Sequence, residues 1–370
     1  MSVPESRFDK KETAKAKGVS ICLLLFHHLF YSESRISQGG VKLHIVPQEL
    51  LINIAAGARV CVWIFVFLSA YGLSIKYNEL VQGERSVNKS GFIKKQWFSL
   101  MKPYWFVFII VSVVSLFIFE RPWIVYKNSA INFILDSFAW ADFFSTPSLC
   151  NVWWYMCLAQ VVVLFVPLVN DFVKRFGYAA IPIVFVATQF LDLHSGGINS
   201  RFGGAYVNYL FSVVFGALFA QKRLFEKICN RRQSSVLRAL ELVFLISVTI
   251  GCIYVNLTYS QIDTWKFSKL AMSVAGTTAV IVVHQFITNR YISSAFRFIG
   301  RYAGTIFLIH SFSYMYYLKL LYWSHNVFVT WITLLVVSLL VSIILDKLQQ
   351  TFWHATDKTF DAHFKRKKLD

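Results

Sequence analysis

The chain has 370 residues, of which 56% are hydrophobic and only 15% are charged. An average soluble domain carries about a quarter charged residues, so this composition excludes an ordinary soluble enzyme. The formal net charge of +18 would indicate a nucleic-acid partner for a soluble protein. In a membrane protein the distribution of that charge between the two sides of the bilayer is what matters, and no nucleic-acid partner is expected.

Ten apolar stretches recur from one end of the chain to the other. Each is continuously apolar rather than alternating, which predicts membrane-spanning helices and not a β-barrel. The six cysteines have no paired spacing, so neither a disulfide framework nor a metal site is predicted. The sequence therefore predicts an all-α polytopic membrane protein, a bundle of about ten transmembrane helices forming one domain at 17–346, between basic tails at 1–16 and 347–370. The predicted stretches are 18–33, 50–75, 104–119, 152–170, 178–192, 205–221, 239–257, 270–288, 299–320 and 327–346.

Lysine and arginine residues are distributed unevenly over this map. The two tails, together with every second segment between the apolar stretches, hold 28 of the 37 basic residues. The other parts of the chain hold nine. Because basic residues mark the cytoplasmic side of membrane proteins, both termini are predicted to be cytoplasmic.

The first stretch carries histidines at positions 27 and 28. An ionisable side chain at membrane depth is costly, so it is by default a candidate for function. Lys17 and His28 are eleven residues apart, which places them on one helix face with His28 about 16 Å above Lys17. His27 points about 80° away. The pattern favours a charged ligand that enters along the helix axis from the Lys17 end. The alternatives are structural: His28 hydrogen-bonds a neighbouring carbonyl, and Lys17 only anchors the helix at the membrane surface.

Two further ionisable residues are predicted at the same depth. His310 lies about 16 Å into the ninth stretch, as His28 does in the first, and Arg59 lies near the middle of the second. Three helices thus bring His28, His310 and Arg59 into one layer, which predicts a catalytic site. The alternative for Arg59 is an interhelical ion pair with Glu49 or Glu33.

Five segments in this order resemble the acyltransferase 3 group of integral membrane acyltransferases. No single segment is specific to that group, but the ordered set is. Two positions depart from its pattern: Ala70 replaces a glycine, and an arginine pair expected before the third helix is absent, with Leu100 and Trp97 in its place. The resembling segments are Lys17-(ten residues)-His28, Val60–Leu73 (VCVWIFVFLSAYGL), Lys102-Pro103-Tyr104, Val152–Tyr155 (VWWY) and Ile299–His310 (IGRYAGTIFLIH).

The resemblance implies a stand-alone O-acyltransferase in the inner membrane of a bacterium. It implies transfer of an acyl group, most often acetyl, from cytoplasmic acyl-CoA to a hydroxyl of a cell-envelope carbohydrate or glycolipid, with acetyl-CoA as a substrate and no bound cofactor. His28 would act as a base or carry the acyl group, with Arg59 and His310 beside it. The residues expected at the substrates are Lys17, Ser69, Lys102 and Trp153, although Ser69 also suits helix packing and Trp153 an interfacial aromatic belt.

Competing interpretations belong to other classes. A secondary transporter or a polysaccharide flippase would share the ten stretches and the charge in the membrane, but inverted repeats and helices broken by Gly or Pro are not evident. The unrelated membrane-bound O-acyltransferase type also uses a histidine within the membrane, yet the Lys17-to-His28 spacing is not its pattern.

Overall fold

The computed structural model describes residues 8–42, 47–83, 88–193, 205–229, 234–260 and 267–366, without the side chains of 191–193 and 355–366. These residues form α-helices joined by short turns, and no strand occurs among them. The helices are α1 Lys10–Phe30, α2 Glu33–Gln38, α3 Gln48–Gly57, α4 Cys61–Gly83, α5 Lys89–Ser115, α6 Pro122–Val125, α7 Ala130–Ser137, α8 Trp154–Phe176, α9 Ala180–Leu193, α10 Leu210–Lys222, α11 Leu224–Cys229, α12 Ser235–Tyr259, α13 Phe267–Phe286, α14 Arg290–Arg301, α15 Ala303–Tyr316, α16 Leu318–Leu321 and α17 Val327–Arg366.

The predicted all-α class is confirmed, and several apolar helices make this a multi-pass membrane protein. Within the described residues, six segments are long and apolar enough to cross a membrane. Helices α10 and α15 have only 13 and 14 residues, about 20 Å each and less than a ~30 Å bilayer core. The count of ten spans therefore stays a prediction. The six segments are Gln48–Gly83, Lys89–Ser115, Asn151–Phe190, Ser235–Tyr259, Phe267–Phe286 and Val327–His354.

Helix α1 begins well before its apolar residues. The Asp9 carboxylate accepts hydrogen bonds from the backbone N–H groups of Lys11 and Glu12 at 2.7 and 2.9 Å, which satisfies N–H groups that a helix start leaves unpaired. The described part of the predicted N-terminal tail is therefore mostly helical, and α17 likewise continues through the start of the predicted C-terminal tail. Residues 1–7 and 367–370 of those tails lie outside the described residues.

Helix α1 is the central element of the bundle, since it packs against α3, α4, α13, α14, α15 and α17. Its closest neighbour is α14, and the two backbones touch. A Cβ atom added to Gly300 would lie 1.7 Å from the Ala14 carbonyl oxygen, and one added to Gly18 would lie 2.0 Å from the Phe296 carbonyl oxygen. Only glycine permits so close an approach at these two positions.

An ionic cluster ties the same two helices to α13. Each Glu12 carboxylate contact is 2.7 Å long: one oxygen accepts from Lys15 and from His284, and the other accepts from Arg297. Burial alone would raise the pKa of the Glu12 carboxyl, but the hydrogen bonds from His284, Lys15 and Arg297 outweigh it and lower that pKa to about 2. Glu12 is therefore ionised at neutral pH and binds its cationic partners as an anion.

Residues 116–153 form a compact segment that supports α15. The Asp136 carboxylate accepts from Tyr126 and Ser148, both at 2.8 Å, and from the Leu149 N–H at 2.9 Å. Next to this network, the thiol of Cys150 lies 2.9 Å from the hydroxyl of Ser311. Because Ser311 follows His310 on α15, this segment helps to fix the orientation of that helix.

We predict that Gly300→Ala destabilises the protein. The new Cβ would overlap the Ala14 carbonyl, and overpacking of this kind costs roughly 1–3 kcal/mol or more. Gly251→Ala is the matched control, since a Cβ there meets no atom within 4 Å and helix propensity alone favours alanine by about 1 kcal/mol. The measurement is the thermal midpoint and the yield of each variant in detergent; equal midpoints for the two variants would contradict the backbone contact.

Candidate active site

The imidazole rings of His28 and His310 are in contact. Their centroids are 5.1 Å apart, so α1 and α15 bring together two of the three groups that the sequence predicts in one layer. His310 is fully buried, whereas His28 is only partly buried. Two imidazoles at this separation can act on one bound group.

The hydrogen bonds of His310 fix its tautomer. Its Nδ1 lies 2.8 Å from the Phe307 carbonyl oxygen and 3.1 Å from the Ile306 carbonyl oxygen. A carbonyl can only accept, so Nδ1 carries the proton and Nε2 carries a lone pair. That buried Nε2 has no hydrogen-bond partner among the described residues. A bare imidazole nitrogen of this kind is suited to accept a proton from a ligand.

His27 has a different environment from its neighbour. Its Nδ1 lies 2.7 Å from the Ala55 carbonyl oxygen of α3, and its ring stacks on Tyr31 with centroids 4.8 Å apart. A histidine bound to a neighbouring carbonyl, the structural alternative considered from the sequence, is found at His27 and at the Nδ1 of His310. The structure gives no such partner to the His28 side chain within the residues that it describes.

Arg59 lies on a 3-10 turn, Ala58–Val60, which joins α3 to α4. Its side chain is exposed, approaches the Tyr209 hydroxyl and lies within electrostatic range of His28. In the described part of the chain it forms no ion pair, so the proposed pairs with Glu49 and Glu33 are not made. The Glu33 carboxylate accepts instead from Gln48 at 3.1 Å.

A cavity of about 370 Å³ lies below the histidine pair, at the end of α1 that carries Lys17. We call it the Lys17 cavity. Its charged and polar lining residues lie on α1, α4, α14, α15 and α17. Its apolar lining residues lie mainly on α5, α8 and α15. The lining residues are Lys17, Phe65, Ser69, Leu100, Pro103, Tyr155, Met156, Ala159, Arg301, Ala303, Gly304, Thr305, Phe307, Leu308, Asp346, Gln349 and Gln350.

Two cations of the Lys17 cavity are free of carboxylates. Neither Lys17 nor Arg301 has an ion-pair partner within the described residues, and the Asp346 carboxylate accepts from the Thr305 hydroxyl instead. At the other end of the cavity, the ring of Phe307 lies 6.1 Å from that of His310. The cavity therefore holds two positive charges without an ion-pair partner among the described residues and ends at Phe307, a neighbour of His310, although neither histidine of the pair lines it.

The three remaining residues expected at the substrates occupy different places. Ser69 lines the Lys17 cavity and is hydrogen-bonded with Tyr155. Lys102 lies over the Trp353 ring, with its ammonium 5.2 Å from the centroid. Trp153 is buried, and its indole N–H donates to the Leu308 carbonyl at 2.9 Å. Only Ser69 of these three therefore faces the cavity.

Sequence reasoning missed Arg301 and Arg35. Arg301 precedes His310 by nine residues, much as Lys17 precedes His28, and this repeated order of a cation followed by a histidine was a usable signal. Arg35 follows the first apolar stretch of the sequence as an ordinary loop cation, and nothing in the sequence indicates that it folds back. The structure places its guanidinium 4.4 Å from the ring centroid of Tyr314, a neighbour of both histidines.

The Acyl_transf_3 family model, described as an acyltransferase domain, matches residues 16–347 of the chain. A search of curated proteins and a search of solved structures gave no match.

We predict that His28→Ala abolishes acyl transfer, with a loss of about 100-fold or more if His28 is the general base, while the yield of the protein stays normal. His27→Ala should keep most of the activity, because its ring binds the Ala55 carbonyl instead of His310. The measurement is the rate of acyl transfer per mole of purified protein, with the thermal midpoint of both variants as control. Equal losses, or full activity in His28→Ala, would contradict the assignment.

Proposed function

This chain belongs to the Acyl_transf_3 family of membrane acyltransferases, and we propose that it moves an acyl group, acetyl in the first instance, from cytoplasmic acyl-CoA to a hydroxyl group. The acceptor in this proposal is a carbohydrate or glycolipid of the cell envelope, and the membrane is the inner membrane of a bacterium. Acetyl-CoA is a substrate here, and the proposal includes no resident cofactor. The observation that carries it is the Lys17 cavity, which has free cations at one end and is lined at the other by Phe307, whose ring lies 6.1 Å from that of His310.

The cavity suits the shape and charge of acyl-CoA. Lysine and arginine bind phosphate groups through charge-assisted hydrogen bonds, and both Lys17 and Arg301 are free to do so. The rise of about 16 Å from Lys17 to His28 along α1 is comparable with the length of a pantetheine arm. The phosphates would bind at Lys17 and Arg301, and the thioester would lie near His28 and His310.

The proposed orientation follows from charge. With ten spans and both termini cytoplasmic, 28 of the 37 basic residues lie on the cytoplasmic side, as basic residues do in membrane proteins. The Lys17 end of the cavity then opens toward the cytoplasm, where acyl-CoA is made. The orientation inferred from charge is therefore consistent with entry of acyl-CoA from the Lys17 end of the cavity.

The chemistry needs a base and a charge that stabilises the intermediate. An imidazole of the pair takes the proton of the acceptor hydroxyl as its oxygen attacks the thioester carbon. The carbon–sulfur bond then breaks, and the CoA thiolate recovers the proton from the imidazolium. Arg59, exposed and within electrostatic range of His28, would orient the acceptor.

We predict that membranes containing the protein transfer label from [14C]acetyl-CoA to an envelope acceptor, and that control membranes lacking it do not. CoA does not cross membranes, so sealed inside-out vesicles should react and sealed right-side-out vesicles should react only after permeabilisation. No transfer in any preparation would overturn the proposed reaction. Transfer by intact right-side-out vesicles would keep the reaction but overturn the orientation.

We predict that Lys17→Ala and Arg301→Ala each raise the KM for acetyl-CoA about tenfold or more, since one charge-assisted hydrogen bond is worth roughly 1.5–3 kcal/mol. The rate at saturating acetyl-CoA should change much less, because these cations are far from the thioester. Lys17→Arg should be tolerated.

Arg223→Ala is the control for this pair, since Arg223 is exposed and its nearest carboxylate, on Glu226, is 4.0 Å away. An unchanged KM in both cavity variants would leave Lys17 as a helix anchor and remove the Lys17 cavity from the proposal.

A further inference from the structure

Arg35 lies against the histidine pair from the side opposite to the Lys17 cavity. Helix α2, which carries it, folds back over the end of α1, and the Arg35 guanidinium donates to the His28 carbonyl oxygen. The same guanidinium lies 4.4 Å from the Tyr314 ring centroid and 5.1 Å from that of Tyr31. Tyr314 in turn stacks on His28 with centroids 5.9 Å apart and lies 6.1 Å from His310. Arg35 is thus one aromatic ring away from both imidazoles.

The charge of Arg35 has no anionic partner within the described residues. A guanidinium has five N–H donors, and the hydrogen bonds of Arg35 to the His28 carbonyl and to the Tyr314 side chain use only part of them. Its side chain is half-buried, and a guanidinium cannot lose its charge by deprotonation. Cation–π contacts with Tyr314 and Tyr31 stabilise the guanidinium only weakly compared with an ion pair. Arg35 is therefore a half-buried cation with spare hydrogen-bond donors beside the predicted reaction centre.

We propose that Arg35 stabilises the oxyanion that forms when the acceptor attacks the thioester. This inference rests on the proposed acyl transfer. As the acceptor oxygen bonds to the thioester carbon, its proton moves to an imidazole and the carbonyl oxygen becomes negatively charged. A spare N–H of Arg35 donates to that oxygen until the carbon–sulfur bond breaks and the carbonyl re-forms. Donors of this kind act most strongly where water is excluded.

The location of Arg35 favours this role over that of Arg59. Arg59 is exposed and approaches Tyr209, whereas Arg35 is fixed between two rings and bound to the backbone of His28 itself. A donor that is already held in place needs no reorganisation when charge develops. Arg35 is therefore the catalytic arginine in this proposal, and Arg59 is left to contact the acceptor.

A purely structural role for Arg35 predicts a different outcome. The His28 carbonyl lies in the last turn of α1, where helix carbonyls lack partners within the helix, so Arg35 also stabilises this helix end. A residue that does only this would lower the thermal midpoint when replaced. It would affect donor binding and turnover together, because the whole histidine pair would shift.

The test compares Arg35→Gln, Arg35→Lys and the control Arg121→Gln in [14C]acetyl-CoA transfer to native membranes. Arg121 also stacks on one aromatic ring, Trp123, at 5.5 Å, but it lies away from the histidines. For Arg35→Gln we expect the saturating rate to fall about 100-fold or more, with the KM for acetyl-CoA and the thermal midpoint unchanged. For Arg35→Lys we expect a smaller loss of about tenfold, and for Arg121→Gln no change.

Normal turnover in Arg35→Gln, or a thermal midpoint that falls together with activity, would overturn the inference. If Arg35→Gln does not accumulate, Arg35→Lys decides, because an ammonium lacks the planar fork that holds donors toward the His28 carbonyl and the oxyanion at the same time. Wild-type turnover in Arg35→Lys would then overturn it. A wild-type protein that transfers no acetyl group defeats the proposed function itself, which separates the two failures.

Discussion

The backbone contact between α1 and α14 positions the cations of the Lys17 cavity and the two chain segments that lead to the histidine pair. Gly18 and Gly300 permit this contact, and each is followed ten residues later by a histidine of the pair. A cation adjoins each glycine as well, Lys17 on one side and Arg301 on the other. Helix α1 is stiff, so the contact at Gly18 also places His28, about 15 Å farther along the helix. The chain turns after Arg301 and α15 begins at Ala303, so the contact at Gly300 places the start of the helix that carries His310.

Ion pairs around this contact distinguish the cations that hold helices together from the cations that remain available to a ligand. Glu12 binds Lys15 and Arg297 at 2.7 Å, so these two cations hold α1 against α14 and have donors engaged within the protein. Lys17 lies only two residues after Lys15, yet the helix rotates it by about 200° and into the cavity. The same segment of sequence therefore supplies both an internal clamp and a phosphate-binding candidate.

Local periodicity predicted part of this arrangement. The spacing of Lys17 and His28 is a property of one helix, and most residues of the ten predicted stretches are helical. The order of Arg301 and His310 was also readable, but the packing that brings Arg301 to the cavity beside Lys17 was not. Arg35 was not predictable, because it reaches the site only where a six-residue helix folds back. Trp153 and Lys102 matched sequence motifs, but their side chains bind Leu308 and Trp353. A motif identifies a residue's place in the chain and not the direction of its side chain.

The unequal burial of the two histidines assigns them different tasks in the proposed reaction. His310 is fully buried, and its Nδ1–H is bound to backbone carbonyls, so a bulky acceptor sugar cannot approach it directly. His28 is partly exposed and has no such bond, so the acceptor hydroxyl approaches by way of His28. Phe307, which lines the Lys17 cavity, lies 6.1 Å from the His310 ring, so in the proposed reaction the donor approaches from that side of the pair. The thioester then meets the acceptor at His28, and burial of the His310 ring limits access of the water that would otherwise hydrolyse the donor.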